Sequence, residues 1–506
     1  MENVAVIVVD AYFAKLRVAS VEPNNYFIIK DEEIDTVKLG LDMEKDHFLK
    51  KPQIETTIQT LKNFKKICDI HNVTKTYAYA LFNEANRPKN LLSFFDEVFT
   101  VTGFKFDLIS DEYRNTVIYR GVLNTMDAPK GVILNVEPES IHIVHYNRRN
   151  ILHQETLNFG PITLLNMFPT ENYAFEAQCK EFANYIETQM KSLSWVNELE
   201  PETTIVGVGS YFVDMAKMVK KLKKHPVEID NNYTFEAKDL QSIFEQLKAL
   251  GMDKTKKIRG VNESRADVFI TATQTILQIM QQFQLNNVLV STYGIIEGVL
   301  FENIIPSVLD KPISDVLGYS LTRENAYYAA ENSKHNEQVY NLCMLLFKQL
   351  RVLHKLPRGY IKILRVASYL HDAGERINYH QHAKLSFGAI MGADIYGLTH
   401  REQVLSAFVA SLHQGGDIVL ADWLKYKDLV TDEDLDAVRK LGVILRIAEA
   451  FDRTRSNAIV DINCDILGDS VIMKTETTQD NSFEIKKALE ASKDFERFFK
   501  KKIEIL

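Results

Sequence analysis

Apolar and polar positions change their rhythm along the 506-residue chain. In the first part, short apolar runs take turns with helical spacing. Residues 4–9 form an apolar run ending at Asp10 and predict a buried strand. Segments 26–29, 36–39, 76–81 and 106–110 predict further strands. Segments 53–71, 91–99 and 116–126 predict helices, the first from Ile54, Ile58, Leu61, Phe64 and Ile67. Strands alternating with helices imply an α/β domain with a partly parallel sheet. The pattern then restarts. Strands are expected at 131–136, 140–146, 151–157, 204–208 and 287–291, and helices at 163–168, 174–193, 212–223 and 266–283. Two consecutive α/β halves imply a duplicated pair with a cleft between them.

From about residue 305 the strands give way to helical spacing at 313–317, 334–353, 360–370, 384–391, 401–412 and 434–450, with a loop at Gly415-Gly416. Two strands, 460–464 and 470–475, and one amphipathic helix, 483–499, follow. The expected domains are therefore two α/β halves at 1–127 and 128–304, an all-α module at 305–456 and a small α+β domain at 457–506.

Composition narrows the function classes. A hydrophobic content of 46% with 25% charged residues is that of an ordinary globular protein. The net charge of −8 gives no footprint for general nucleic-acid binding. Cys68, Cys179, Cys343 and Cys464 are far apart and form no CxxC, which argues against a zinc ribbon or a disulfide framework. The opening MENVAVIVVD lacks the basic and long apolar regions of a signal peptide, and no apolar run reaches about 18 residues. The expectation is a cytoplasmic protein without a membrane partner.

Candidate chemistry centres on residues 366–382, VASYLHDAGERINYHQH. An apolar helix runs into the adjacent pair His371-Asp372, and His380 and His382 follow. Both residues of the pair are metal ligands by type, and neither is needed to pack a helix. His354 and His380 read as surface residues. Arg446, Arg453 and Arg455 flank Asp452 and are candidates to face a polyanion, although a solvated helix face is the ordinary explanation for such residues.

Several stretches occur in an order that resembles the Ppx/GppA family of exopolyphosphatases and guanosine pentaphosphate phosphohydrolases. They are Asp10 after a strand, Lys38-Leu39-Gly40, Ile109-Ser110, Ile118-Tyr119-Arg120-Gly121-Val122, residues 131–140, Leu157-Asn158-Phe159-Gly160, Val206-Gly207-Val208-Gly209, Arg265-Ala266-Asp267-Val268 and residues 294–298. The resemblance implies two RNase-H-like halves of the actin/hexokinase type around a phosphate-binding cleft. Glycine- and serine-rich loops would bind phosphate there, with a glutamate as general base and a Mg²⁺ ion. It also implies an HD-like helical domain in the back half.

The chain departs from that pattern at each front-cleft motif. The loop expected as D-x-G-S-N-S reads Asp10-Ala11-Tyr12-Phe13-Ala14-Lys15, and the one expected as D-x-G-G-G-S reads Asn135-Val136-Glu137-Pro138-Glu139-Ser140. Carboxylates stand where phosphate should sit, each repelling it by roughly 1–4 kcal/mol at surface-like dielectric, and Pro138 removes an N–H donor. The general-base segment holds Tyr113 and Arg114 at the two glutamate positions. Glu112 would serve only with a shifted register. Asp10, Ser140 and Gly209 remain as weak candidates.

In HD-type phosphohydrolases a divalent metal is held by H…HD…D. By that resemblance the set here is His335, His371, Asp372 and Asp452, with His382 and His413 as second-metal candidates. Mg²⁺ or Mn²⁺ there would polarise a phosphoryl oxygen. The readings are a phosphoric-anhydride hydrolase acting on polyphosphate or pppGpp, an HD-type phosphohydrolase, and a non-catalytic regulatory paralogue. The family implies a homodimer.

Overall fold

A computed structural model describes residues 2–23, 25–43, 46–85, 87–169, 175–250, 266–309, 311–329 and 333–506. Ala174, at the start of an expected helix, and Arg265, in one of the motifs, lie outside these residues. The chain forms two compact units, residues 1–224 with 230–316, and residues 225–229 with 317–506.

The first unit contains two sheets. Strands β1 (Glu2–Asp10), β2 (Phe13–Val21), β3 (Phe27–Thr36), β4 (Lys75–Leu81) and β5 (Phe106–Leu108) lie in the order β3-β2-β1-β4-β5. β1, β2 and β3 pair antiparallel, and β4 and β5 extend the sheet in parallel. β6 (Lys130–Val136), β7 (Ile141–Asn147), β8 (Asn150–Leu157), β9 (Ile205–Val208), β10 (Thr234–Glu236) and β11 (Asn287–Ser291) give the order β10-β11-β9-β6-β7-β8. Without the edge strand β10, the two sheets have the same order and the same strand directions. The α/β halves are thus RNase-H-like repeats.

Two expectations change here. The strand expected at 26–29 runs on to Thr36 as β3, whose centre Lys30-Asp31-Glu32-Glu33 is polar, and the rest of the strand expected at 36–39 lies outside any strand. A charged edge strand resists pairing with other chains but carries no apolar run to mark it. β2 alternates Lys15 and Arg17 with Leu16 and Val18, and reads as a strand only beside β1.

The helix expected at 116–126 begins earlier, at Asp111–Leu123. The Ser110 hydroxyl accepts from the Tyr113 N–H at 3.2 Å, and Asp111 and Glu112 sit in the positively polarised first turn. This start places Arg114 on the helix and turns it inward. The same helix crosses Ile295–Ile304 at glycines. A side chain at Gly121 would strike the Gly294 carbonyl, and one at Gly298 the Val117 carbonyl.

The second unit is helical. Tyr360–Leu370 buries Ile363, Leu364, Val366, Ala367 and Leu370 in a core with Leu342, Leu346, Val404, Leu441 and Ile444 from neighbouring helices. The short helix expected at 313–317 is instead Val316–Ala329. Strands β12 (Ile459–Ile466), β13 (Ser470–Thr477) and β14 (Lys502–Ile505) form a small sheet. The single helix expected at 483–499 is two, Ser482–Leu489 and Ser492–Phe499. The Ser492 hydroxyl takes the Leu489 carbonyl and closes the first of them. No helix among the described residues is long and apolar enough to cross a membrane.

Candidate functional site

The helical unit gathers four histidines and an aspartate at helix ends. A helix leaves its last-turn carbonyls without intrahelical partners. His371 follows the helix Tyr360–Leu370, and its Nδ1 donates to the Ser368 carbonyl at 2.8 Å. His413 follows His400–Ser411 and donates from Nδ1 to the Ala410 carbonyl at 2.7 Å. His382 begins its own helix and donates from Nδ1 to the Tyr379 carbonyl at 2.6 Å. In all three the backbone bond goes to the residue three positions earlier. It fixes the tautomer and leaves Nε2 as the lone-pair nitrogen.

Those three nitrogens converge on one oxygen. Asp372 Oδ1 lies 3.3 Å from His382 Nε2 and 3.5 Å from both His371 Nε2 and His413 Nε2. His382 Nε2 and His413 Nε2 are 2.9 Å apart, and the Gln414 side-chain amide is 3.1 Å from the former. His371 Nε2 is buried without a hydrogen-bond partner among the described residues. His335, His371 and Asp372 form one group with ligand atoms close enough to share an ion, and Asp372, His382 and His413 form a second. All five residues are buried.

The charge environment follows from this crowding. Burial alone would raise the Asp372 carboxyl, but His371, His382 and His413 around it hold it well below the usual carboxylate range. Burial, and then the neighbouring His371, push His413 down to about 3. Burial also opposes charge on His382, yet its contact with Asp372 raises it on balance.

Asp452 stands one bond behind these groups. Its Oδ2 accepts from His335 Nδ1 at 2.8 Å and its Oδ1 accepts the Asn457 N–H at 2.9 Å. These two bonds fix the carboxylate and, through it, the orientation of the His335 ring. Of the three candidate arginines, Arg455 comes within 4.0 Å of Asp372 Oδ2 and 3.8 Å of Glu375, and Arg453 within 3.5 Å of the Tyr379 hydroxyl. Arg446 faces elsewhere, bonded to Asp494 at 2.7 Å beside Gly415. His380 is exposed as expected. His354 is not a surface residue: it is buried, with Nε2 2.7 Å from the Phe347 carbonyl and its ring stacked on Phe347.

The front candidates are placed differently. The Asp10 carboxylate accepts the N–H groups of Tyr12 and Phe13 at 2.7 and 2.6 Å and so holds the turn after β1. Burial, with Glu137 nearby, raises it despite Lys15. Glu112 is exposed on the first turn of its helix. Gly209 has φ +97° at the turn after β9, and a side chain there would crowd Asn135 Oδ1. Ser140 is buried, with Oγ 3.2 Å from His142 Nε2 and 3.5 Å from Glu137 Oε2. Arg114, almost wholly buried, forms an ion pair with Glu137.

The sequence reading missed Tyr379, Gln414 and Glu375 at the rim of the histidine cluster, and His142 and Asn115 beside Ser140. His142 carried a signal in being a polar residue at the start of a strand otherwise patterned for burial.

The chain matches the model of the Ppx/GppA phosphatase family over residues 18–305, and that of Ppx/GppA phosphatase, domain III, over residues 326–493. A bifunctional 3-dehydroquinate synthase/phosphatase of Fusobacterium nucleatum is 24% identical over 310 residues, 57% of this chain and 45% of that protein. A guanosine-5'-triphosphate,3'-diphosphate pyrophosphatase of Pseudoalteromonas translucida is 21% identical over 344 residues, 64% of this chain and 65% of that one. The match thus spans less than two thirds of each relative. An exopolyphosphatase from Cytophaga hutchinsonii aligns with a TM-score of 0.56 at 21% identity, over 60% of this chain and 98% of its own. The Aquifex aeolicus Ppx/GppA family member gives 0.52 at 23%, over 60% and 98%. At such identities the structures bear on fold alone. With the first model covering more than half of its length, the chain belongs to the Ppx/GppA phosphatase family.

Proposed function

We propose that this family member is a divalent-metal-dependent phosphohydrolase whose working centre is the histidine cluster of the helical unit. Its substrate class is polyphosphate or a phosphorylated nucleotide, as the family and the pyrophosphatase relative suggest. One observation carries the reading: three imidazoles, each tied by Nδ1–H to a backbone carbonyl, direct Nε2 lone pairs at a single carboxylate oxygen. Lone pairs facing each other in a buried space repel unless a cation lies among them. Of the two expected ions, the mixed set of imidazoles and a carboxylate suits Mn²⁺ better than Mg²⁺, which prefers an all-oxygen shell.

His335, His371 and Asp372 would hold one ion, and Asp372, His382 and His413 a second. Such an ion supplies positive charge to a phosphoryl group and acidifies a water. The protein's own part is separate from this. Asp452 keeps His335 in one tautomer, and the three backbone carbonyls do so for the other imidazoles. Arg453 and Arg455 lie at the rim, where a second phosphate of the substrate would need neutralising. The front cleft takes no part in hydrolysis, because Asp10 is spent on the turn after β1 and Glu112 is exposed. A cytoplasmic homodimer completes the proposal by family resemblance.

The test loads purified chain with Mn²⁺ or Mg²⁺, measures bound metal, and follows phosphate release from long-chain polyphosphate and pppGpp. Metal should bind, and release should be lost in His382→Ala/His413→Ala but not in Glu112→Gln. A cluster that stays metal-free after loading, or loss of release in Glu112→Gln alone, would return the chemistry to the front cleft. Metal binding without any release would favour the regulatory paralogue.

A further inference from the structure

The front pocket of the first unit is built to hold an anion, and an anion already sits in it. Arg114 projects from the helix Asp111–Leu123 and is 1% exposed. Its guanidinium pairs with Glu137 Oε2, while Glu137 Oε1 accepts from Asn135 Nδ2 at 2.8 Å. Ser140 Oγ stands 3.5 Å and His142 Nε2 3.8 Å from the same carboxylate. Arg114 Nε is buried with no hydrogen-bond partner among the described residues, so the guanidinium has donor capacity left over.

The loop that carries Glu137 is fixed. Glu137 N–H bonds to the Ser140 carbonyl at 2.9 Å, and Ile162 N–H bonds to the Pro138 carbonyl at 2.9 Å. The backbone at Glu137 and Pro138 lies so close over Gly160 that any side chain at residue 160 would collide with both carbonyls. His142 is held in place by Asn115, 2.9 Å from Nδ1, and burial and then Arg114 keep it well below its ordinary range, hence neutral. At the contact itself the positive charge is on Arg114 and the negative charge on Glu137, and the carboxyls of Asp10 and Asp111 lie close enough to be affected by them. The Glu137 side chain is still 16% exposed, so the place it fills is reachable from solvent.

We infer that Glu137 is a built-in carboxylate ligand that occupies a small oxyanion pocket formed by Arg114, Asn135 and Ser140, and that this occupation is what keeps inorganic phosphate out. Removing the carboxylate leaves a buried guanidinium without its partner, a state that a small anion from solvent relieves. The ligand class is one small oxyanion, a carboxylate or a phosphate, bound at Arg114. This stands apart from the histidine cluster and does not depend on its chemistry.

The experiment compares wild type, Glu137→Ala, Glu137→Gln and Glu137→Ala/Arg114→Gln, with melting and calorimetry in formate and, separately, inorganic phosphate. Sodium chloride at matched ionic strength is the control. Wild type should show no saturable response. Glu137→Ala should gain stability saturably with at least one anion and bind it at least about tenfold more tightly than wild type, as a charge-assisted contact demands. Formate against phosphate tells whether the pocket fits a planar or a tetrahedral anion. Glu137→Gln fills the space and should not respond, and the double variant should lose the response. If Glu137→Ala is unfolded in chloride, recovery of its cooperative melt by formate or phosphate supports the inference. A Glu137→Ala protein that neither anion affects, folded or unfolded, overturns it. So does an equal response from the double variant.

Discussion

The front pocket and the histidine cluster are both buried concentrations of polar groups, and they are resolved in opposite ways. In the front pocket the central charges are paired. Arg114 faces Glu137, Glu137 also takes the Asn135 amide, and His142 is neutral between Asn115 and Ser140. In the histidine cluster like meets like. The Nε2 atoms of His382 and His413 lie 2.9 Å apart, and His371 Nε2 has no hydrogen-bond partner among the described residues. A closed network needs nothing from solvent, whereas the open one is where the proposed cation would sit. Family membership alone would point to the front cleft as the working site. The state of the charges points to the helical unit.

The comparison is broken most severely by opening the closed network. Arg114→Ala leaves Glu137 without its partner in a mostly buried site and should destabilise the first unit by about 3–5 kcal/mol. Denaturant unfolding measures this, and a loss under about 1 kcal/mol would mean that the pair is not what holds the pocket shut.

The next largest effects concern the open cluster. Asp372→Asn removes the one charge common to both groups and should weaken Mn²⁺ binding by about a hundredfold or more. Asp452→Asn disturbs only the partner of His335 and should weaken it by about tenfold. Titration calorimetry with Mn²⁺ separates the two. Equal losses would place Asp452 among the direct ligands rather than behind His335.

The smallest effect is one of pH. His142 is neutral in the folded protein, its pKa lowered by burial and by Arg114. The unfolded chain takes up a proton there below about pH 6.5 and the folded chain does not. Its contribution therefore holds above that pH and is lost as the pH falls, by at most about 1.4 kcal/mol per pH unit. Melting curves from pH 7.5 to 5.5 should fall less steeply for His142→Gln than for wild type. Parallel slopes would show that His142 is not held neutral.

Much of this was legible in the chain. Helices such as Tyr360–Leu370 and Ala266–Phe283 were bounded by their periodicity, because a single buried face imposes it on the sequence. β3 was legible only at its start because an edge strand answers to solvent on most of its length. At the histidine cluster, residue types and order named His335, His371, Asp372, His382, His413 and Asp452 together. They did not show that Asp452 would bond to His335 Nδ1, since a carboxylate that ligates and one that orients are the same letter. Arg446 and Arg455 were equal candidates for the same reason, and only side-chain direction separated them.

The sequence by itself determined the repeated α/β halves, the helical unit after them and the degenerate phosphate loops, for those follow from local periodicity and from which residues stand at each motif position. Tertiary structure decided what the replacements do. Glu137 and Arg114 are 23 positions apart, and their pairing depends on a strand and a helix from different parts of the chain closing over one pocket. The three histidines are oriented because a backbone carbonyl three residues earlier accepts each Nδ1–H, an arrangement that exists only once these turns have formed and packed.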